Sequence, residues 1–160
     1  MTANSATLSR GKSKPYWSIL WGGLIAGTLD ITGAFIHNGV RGVSPVRVLR
    51  YVAGGLLGPD AFKGGLGTAA LGLALHFLIA TGATAVYYAA SRKLDFLVQR
   101  PVVCGPLYGL AVYGFMNLIV LPLSALPKIS YTPAGVIPQL FIHMLCVGLP
   151  IALVVRRFSK

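Results

Sequence analysis

The sequence predicts an all-α protein, a four-helix transmembrane bundle with a short amphipathic interfacial helix in its first external loop, and three observations carry that expectation. Of the 160 residues, 55% are hydrophobic and 11% charged, at a mean hydropathy of +0.73, far from the composition of soluble domains. Four apolar runs, Trp17–His37, Leu66–Ala90, Val102–Ala125 and Gly135–Val155, approach or exceed the roughly 20 residues that a spanning helix needs. Within hydrocarbon their backbone hydrogen bonds must be internal, so the runs are helices. Finally, the 14 Lys and Arg, set against 3 acids for a net charge of +11, all lie outside the runs. Charge so placed is topological rather than a nucleic-acid footprint, and no nucleic-acid-binding module is visible, so nucleic acid is not an expected partner.

Residues 1–15 read as a basic cytoplasmic segment carrying Arg10, Lys12 and Lys14. A signal peptide is the rival reading of this segment and the first apolar run. That run is long, contains Asp30 and lacks a convincing small-residue cleavage site, so an uncleaved helix is expected. Tyr16, Trp17 and Trp21 open that helix, and Tyr87 and Tyr88 close the second, as aromatic side chains do at membrane interfaces. A single membrane domain then covers 16–157, with 158–160 as a cytoplasmic tail. With the N-terminus inside, nine Lys and Arg (Arg10, Lys12, Lys14, Arg92, Lys93, Arg100, Arg156, Arg157, Lys160) face five on the other side (Arg41, Arg47, Arg50, Lys63, Lys128). The excess places both termini in the cytoplasm.

The first external loop contains a helix of its own. Ser44 is an N-cap with Pro45 at the first helical position; Val48, Leu49, Val52 and Leu56 recur on one face while Arg47 and Arg50 share another. Gly54-Gly55 weakens its end and Gly58-Pro59-Asp60 stops it. The expected position is the outer interface, with Arg47 and Arg50 toward phospholipid headgroups, which makes membrane lipids the first expected partner. The alternative is a lid or docking site for an anionic ligand.

Small residues mark the packing faces of the spans. Gly23 and Gly27 form a GxxxG pair, Gly22, Ala26, Asp30 and Ala34 step along the adjacent face, and Gly72, His76 and Ala80 repeat that spacing in the second helix. Asp30 is the most informative residue, because a carboxylate in a run without Lys or Arg must be solvated by other helices or be protonated. At about 1.5 Å of rise per residue, Asp30 lies ~10 Å below the outer boundary, His76 ~15 Å, Asn117 ~10 Å and His143 ~12 Å. The spans thus share one polar layer, rimmed by Gln139 one turn from His143, with Tyr113 one turn below Asn117.

Several chemistries suit a layer of Asp30, His76, Asn117, Gln139 and His143. The first is interhelical glue, in which Asp30 accepts from a histidine and the amides bridge helices. The second is a proton relay or conduit. Haem or zinc ranks below both: there is no CxxCH motif, and Asp30 with the two histidines supplies three of zinc's four ligands. No metal or other cofactor is therefore expected. Cys104 and Cys146 lie alone within apolar runs and read as reduced, packed residues. No catalytic residue is assigned and no enzyme is expected, since hydrolase, metalloprotease and nucleotide-binding signatures are absent and Asp30, Asp60 and Asp95 form no pair.

A faint repeat relates residues 75–82 to 142–148 and residues 23–27 to 105–109, as a duplicated two-helix unit would. Four segments then carry a family likeness: Ala26-Gly-Thr-Leu-Asp-Ile-Thr-Gly33, Val48-Leu-Arg-Tyr-Val-Ala-Gly-Gly-Leu-Leu-Gly58, Pro106-Leu-Tyr-Gly-Leu-Ala-Val-Tyr-Gly-Phe-Met-Asn117, and the stretch from His143 to Arg157. Between Trp17 and Phe158 the chain resembles a group of uncharacterised bacterial inner-membrane proteins akin to the YagU family. That resemblance implies a four-helix protein of the bacterial cytoplasmic membrane and supplies no catalytic or binding motif. The function expected is that of an accessory or structural membrane protein, as a homo-oligomer or subunit of a larger complex. A small transporter or channel-like protein is the alternative. A dry, fully paired polar layer would favour the former, and a water-accessible cavity reaching Asp30 the latter.

Overall fold

A computed structural model describes residues 15–127 and 133–159. The expected segment 1–15, apart from Pro15, lies outside those residues, as do Lys128 and Lys160. Every regular element among the described residues is helical. Helix α1 (Pro15–Gly39) leads through a turn to α2 (Pro45–Leu57) and a short 3-10 stretch (Gly58–Lys63). Helix α3 (Leu66–Ser91) is followed by one turn, α4 (Phe96–Gln99), and by α5 (Pro101–Leu123). The last helix, α6, runs through Pro133–Ile142, His143–Gly148 and Leu149–Phe158. Helices α1, α3, α5 and α6 are long and apolar enough to cross a membrane. Their outward surface agrees with that: Leu78, Leu118 and Leu123 are 68%, 76% and 82% exposed, and so much outward apolar surface calls for lipid rather than water.

The chain forms two hairpins, α1 with α3 and α5 with α6, and α1 packs along α6 to join them. Glycine sets how closely each pair approaches. In the first hairpin Gly22, Gly23 and Gly27 face Thr84, Thr81 and Phe77, and a Cβ on Gly23 would stand 2.8 Å from Thr81 Cα. In the second, Gly105, Gly109 and Gly148 bring backbones into contact, so that a Cβ on Gly148 would collide with the Gly105 carbonyl. Near the chain termini this packing closes completely: Ala26, Tyr87, Val147, Ile151, Ala152 and Val155 form the core. Tyr87 Oη donates to Leu97 O at 2.9 Å and Tyr108 Oη to Ala83 O at 2.7 Å. Their rings meet edge to face at 4.9 Å. Burial then stops: beyond Gly109 on α5, and before Val147 on α6, no described residue is fully buried.

The local features expected of α2 are present. Ser44 Oγ accepts from Arg47 N at 3.4 Å, and Pro45 begins the helix. The helix lies against α3, where Gly72 leaves room for the Leu49 carbonyl, and Val48, Ala53 and Gly54 are buried. Its far end is tied to the connection after α5 by Ala125 N donating to Gly55 O at 3.0 Å.

Candidate functional site: a cavity floored by the polar layer

Where burial stops, the helices diverge around a cavity of ≈ 760 Å³, within the range of small-molecule sites. It lies on the side of the bundle away from the termini, between the second half of α1, α2, the first half of α3, the second half of α5 and the first half of α6. All five residues of the expected layer line it: Asp30, His76, Asn117, Gln139 and His143. Arg47 lines it too; Arg50 is not part of the wall.

The histidines are fixed by backbone acceptors. His76 Nε2 lies 2.8 Å from Gly27 O, across the α1–α3 contact, and His143 Nδ1 lies 3.0 Å from Gln139 O. A carbonyl only accepts, so these nitrogens carry the hydrogens and set the tautomers. The Tyr113 ring stands edge to face on His143 at 5.2 Å. Asp30 Oδ1 approaches His143 Nδ1 at 3.8 Å, an ion-pair distance too long for a hydrogen bond. That oxygen is buried and lacks a hydrogen-bond donor. The side chains of Asp30 and His143 are 16% and 17% exposed, so the carboxylate edges the cavity with its Oδ1 unsatisfied. Asn117 Nδ2 donates to Tyr113 O on its own helix at 2.9 Å. No group of three or more His, Cys, Asp or Glu positioned for a metal occurs among the described residues. Cys104 and Cys146 are free thiols.

Two π-helical stretches carry part of this site. Met116–Val120 contains Asn117, and His143–Gly148 begins at His143. Each ends two residues before a proline, Pro122 or Pro150. Proline has no N–H and its ring crowds the carbonyl four residues earlier. The chain responds with a wider turn, in which Leu121 N–H bonds to Met116 O and Leu149 N–H to Met144 O, five residues back. Such turns are common at functional sites.

Sequence offers only part of the mouth, Arg47 on α2, in the alternative reading of that helix as a lid or docking site for an anionic ligand. His37, Arg41, Tyr51 and Phe62 line the cavity with Arg47, and the Arg47 guanidinium stands 5.9 Å above the Phe62 ring. Arg50 Nη1 reaches Phe62 O at 3.5 Å. Arg41, in the turn four residues after His37, reads in sequence only as topological charge. No family model matches this chain, and no curated protein or solved structure is detectably similar to it.

Proposed function

We propose that this chain is a small membrane transporter or channel-like protein that admits a solute to the cavity and brings it to Asp30 and His143. One observation carries the reading: the polar residues of all four spans line a single cavity rather than meeting across a dry interface. The unsatisfied Asp30 oxygen supports it as well, because a carboxylate left without a donor in an apolar bundle is stabilised only by water, a proton or a ligand. Asp30 Oδ1 and His143 Nδ1, 3.8 Å apart, set a carboxylate and an imidazole side by side on the cavity wall. The accessory-subunit reading requires a fully hydrogen-bonded layer, whereas the buried Asp30 Oδ1 has no hydrogen-bond partner.

Proteoliposomes test the proposal. With a pH-sensitive dye trapped inside, the wild-type chain should dissipate an imposed proton gradient faster than empty vesicles, and Asp30→Asn should abolish the difference. Dissipation at the empty-vesicle rate, for protons and for co-supplied small solutes alike, would reject it. We also assign the chain to the bacterial cytoplasmic membrane, supported by its YagU-like segments, with both termini inside, supported by the nine-to-five charge division. Reporter fusions at Pro101 and Lys160 should both report cytoplasm; a periplasmic signal from either contradicts that orientation.

A further inference from the structure

We infer that the solute is a primary amine: Asp30 and His143 take its ammonium head at the floor of the cavity, and the apolar part of the wall takes its body. The inference rests on the cavity being a solute site and adds the class of solute.

Unspent acceptors carry it. His76 Nε2 and His143 Nδ1 place their ring hydrogens on Gly27 O and Gln139 O. In each neutral ring the second nitrogen, His76 Nδ1 or His143 Nε2, is therefore an acceptor, and it makes no hydrogen bond among the described residues. The buried Asp30 Oδ1 is a third acceptor without a hydrogen-bond partner. His143 stands beside it with Nδ1 at 3.8 Å, and His76 is tied to α1 at Gly27, three residues before Asp30, about 4.5 Å along the helix. All three side chains line the cavity. A floor that gathers acceptors selects a solute that brings donors. A carboxylate among them selects one that also brings positive charge, because charge-assisted hydrogen bonds are roughly twice as strong as neutral ones. A primary ammonium supplies both, whereas a quaternary ammonium has the charge without the donors and an alcohol the donor without the charge. The same three side chains are not spaced for a metal. An ammonium spans a wider gap, since each of its contacts is about 2.9 Å long against about 2.0–2.2 Å for a metal bound to nitrogen or oxygen.

The rest of the wall fits such a head on an apolar body. Asp30 is the lone acid among the described lining residues, so the cavity has one cationic position and suits a monoamine rather than a diamine. Val48, Val52 and Leu56 on α2 and Val120 and Leu121 on α5 build an apolar side for the body. The basic rim stands apart from the floor. Arg41 follows Asp30 by eleven residues, about 16 Å along a helix, or about two Debye lengths at physiological ionic strength, and the Arg47 guanidinium is turned to the Phe62 ring. A water-filled cavity screens charges so separated.

Three probes of one chain length separate donor from charge. The full chain in phosphatidylcholine nanodiscs is titrated calorimetrically, at physiological salt, with butylammonium, butyltrimethylammonium and butanol. Butylammonium should bind roughly tenfold tighter than either analogue. Asp30→Asn should remove that preference while keeping the wild-type circular dichroism and melting temperature. His143→Phe, which keeps a ring against Tyr113, should reduce the preference and gives the deciding result if Asp30→Asn folds poorly. Equal affinity for the three probes, tighter binding of the quaternary cation or the alcohol, or a full preference surviving in either variant would overturn the inference. If none of the probes binds, the inference fails. Proton-gradient dissipation that Asp30→Asn abolishes would then leave the conduit reading standing without it, and its absence would reject both.

Discussion

The half of the bundle near the chain termini and the half near the α1–α3 and α5–α6 connections use the same four helices and differ in what fills the space between them. In the first, glycines face threonines, phenylalanine or bare backbone, and two tyrosines donate to carbonyls of neighbouring segments, so the helices touch. In the second, Gly72 still brings α2 against α3, but α5 and α6 widen into π turns, polar side chains line the space between the helices, and a cavity remains. The difference shows how a short chain can be both stable and open. Close backbone approach at one end supplies dispersion and hydrogen bonding, and the other end is thereby free to keep a carboxylate and two imidazoles on a cavity wall. Closure at one end and opening at the other is also the form of a vestibule with a floor.

Substitutions at matched glycines give the largest contrast. Gly148→Leu forces a side chain into the Gly105 and Gly109 backbone, where nothing can rotate away. The expected cost is about 3 kcal/mol or more, read as a collapse of the folded fraction in detergent melting. Gly114→Leu on α5, where a Cβ meets nothing within 4 Å, should stay within about 0.5 kcal/mol of wild type. Equal costs would mean that the two halves are not packed differently. A smaller effect is expected at Tyr108→Phe, which removes the hydrogen bond to Ala83 O. Such bonds average about 0.6 kcal/mol in membranes and reach about 1.7, so a small but resolvable drop in melting temperature should follow. The smallest belongs to the open half. Asp30→Asn and Asp30→Leu should both melt within about 0.5 kcal/mol of wild type, because no donor hydrogen-bonds the buried Asp30 oxygen and His143 keeps its own carbonyl acceptor. A loss of about 1–3 kcal/mol in the leucine variant alone would show that Asp30 holds the helices together after all.

Much of this division was legible in the chain itself. Hydropathy gives the four spans, and Ser44-Pro45 gives the start of α2. The GxxxG pair and the Gly72–His76–Ala80 row correctly marked faces that pack. Helical rise alone put Asp30, His76, Asn117, Gln139 and His143 at one level. Whether a level of polar residues closes into bonds or opens into a cavity depends on the lateral separation of helices, which depth does not encode. The π turns show the same limit. Pro122 and Pro150 were visible, yet Pro106 and Pro138 sit within ordinary α-helical turns, so proline alone does not fix where a helix widens. Arg41 read as topological charge and Arg47 as a headgroup-facing residue of an interfacial helix, because membership of a cavity wall is set by the turn after α1 and the packing of α2 on α3.

The central claim, an aqueous cavity that reaches the polar layer above a closed half, is tested most directly by thiol accessibility. With Cys104 and Cys146 replaced by alanine, Asn117→Cys and Ile151→Cys are introduced singly and treated in proteoliposomes with a charged, water-soluble methanethiosulfonate. Asn117 lines the cavity and Ile151 is 0% exposed in the core, so the first thiol should react within minutes and the second should stay unmodified until the protein is denatured. An unreactive thiol at position 117, or equal reactivity at both positions, would contradict the account.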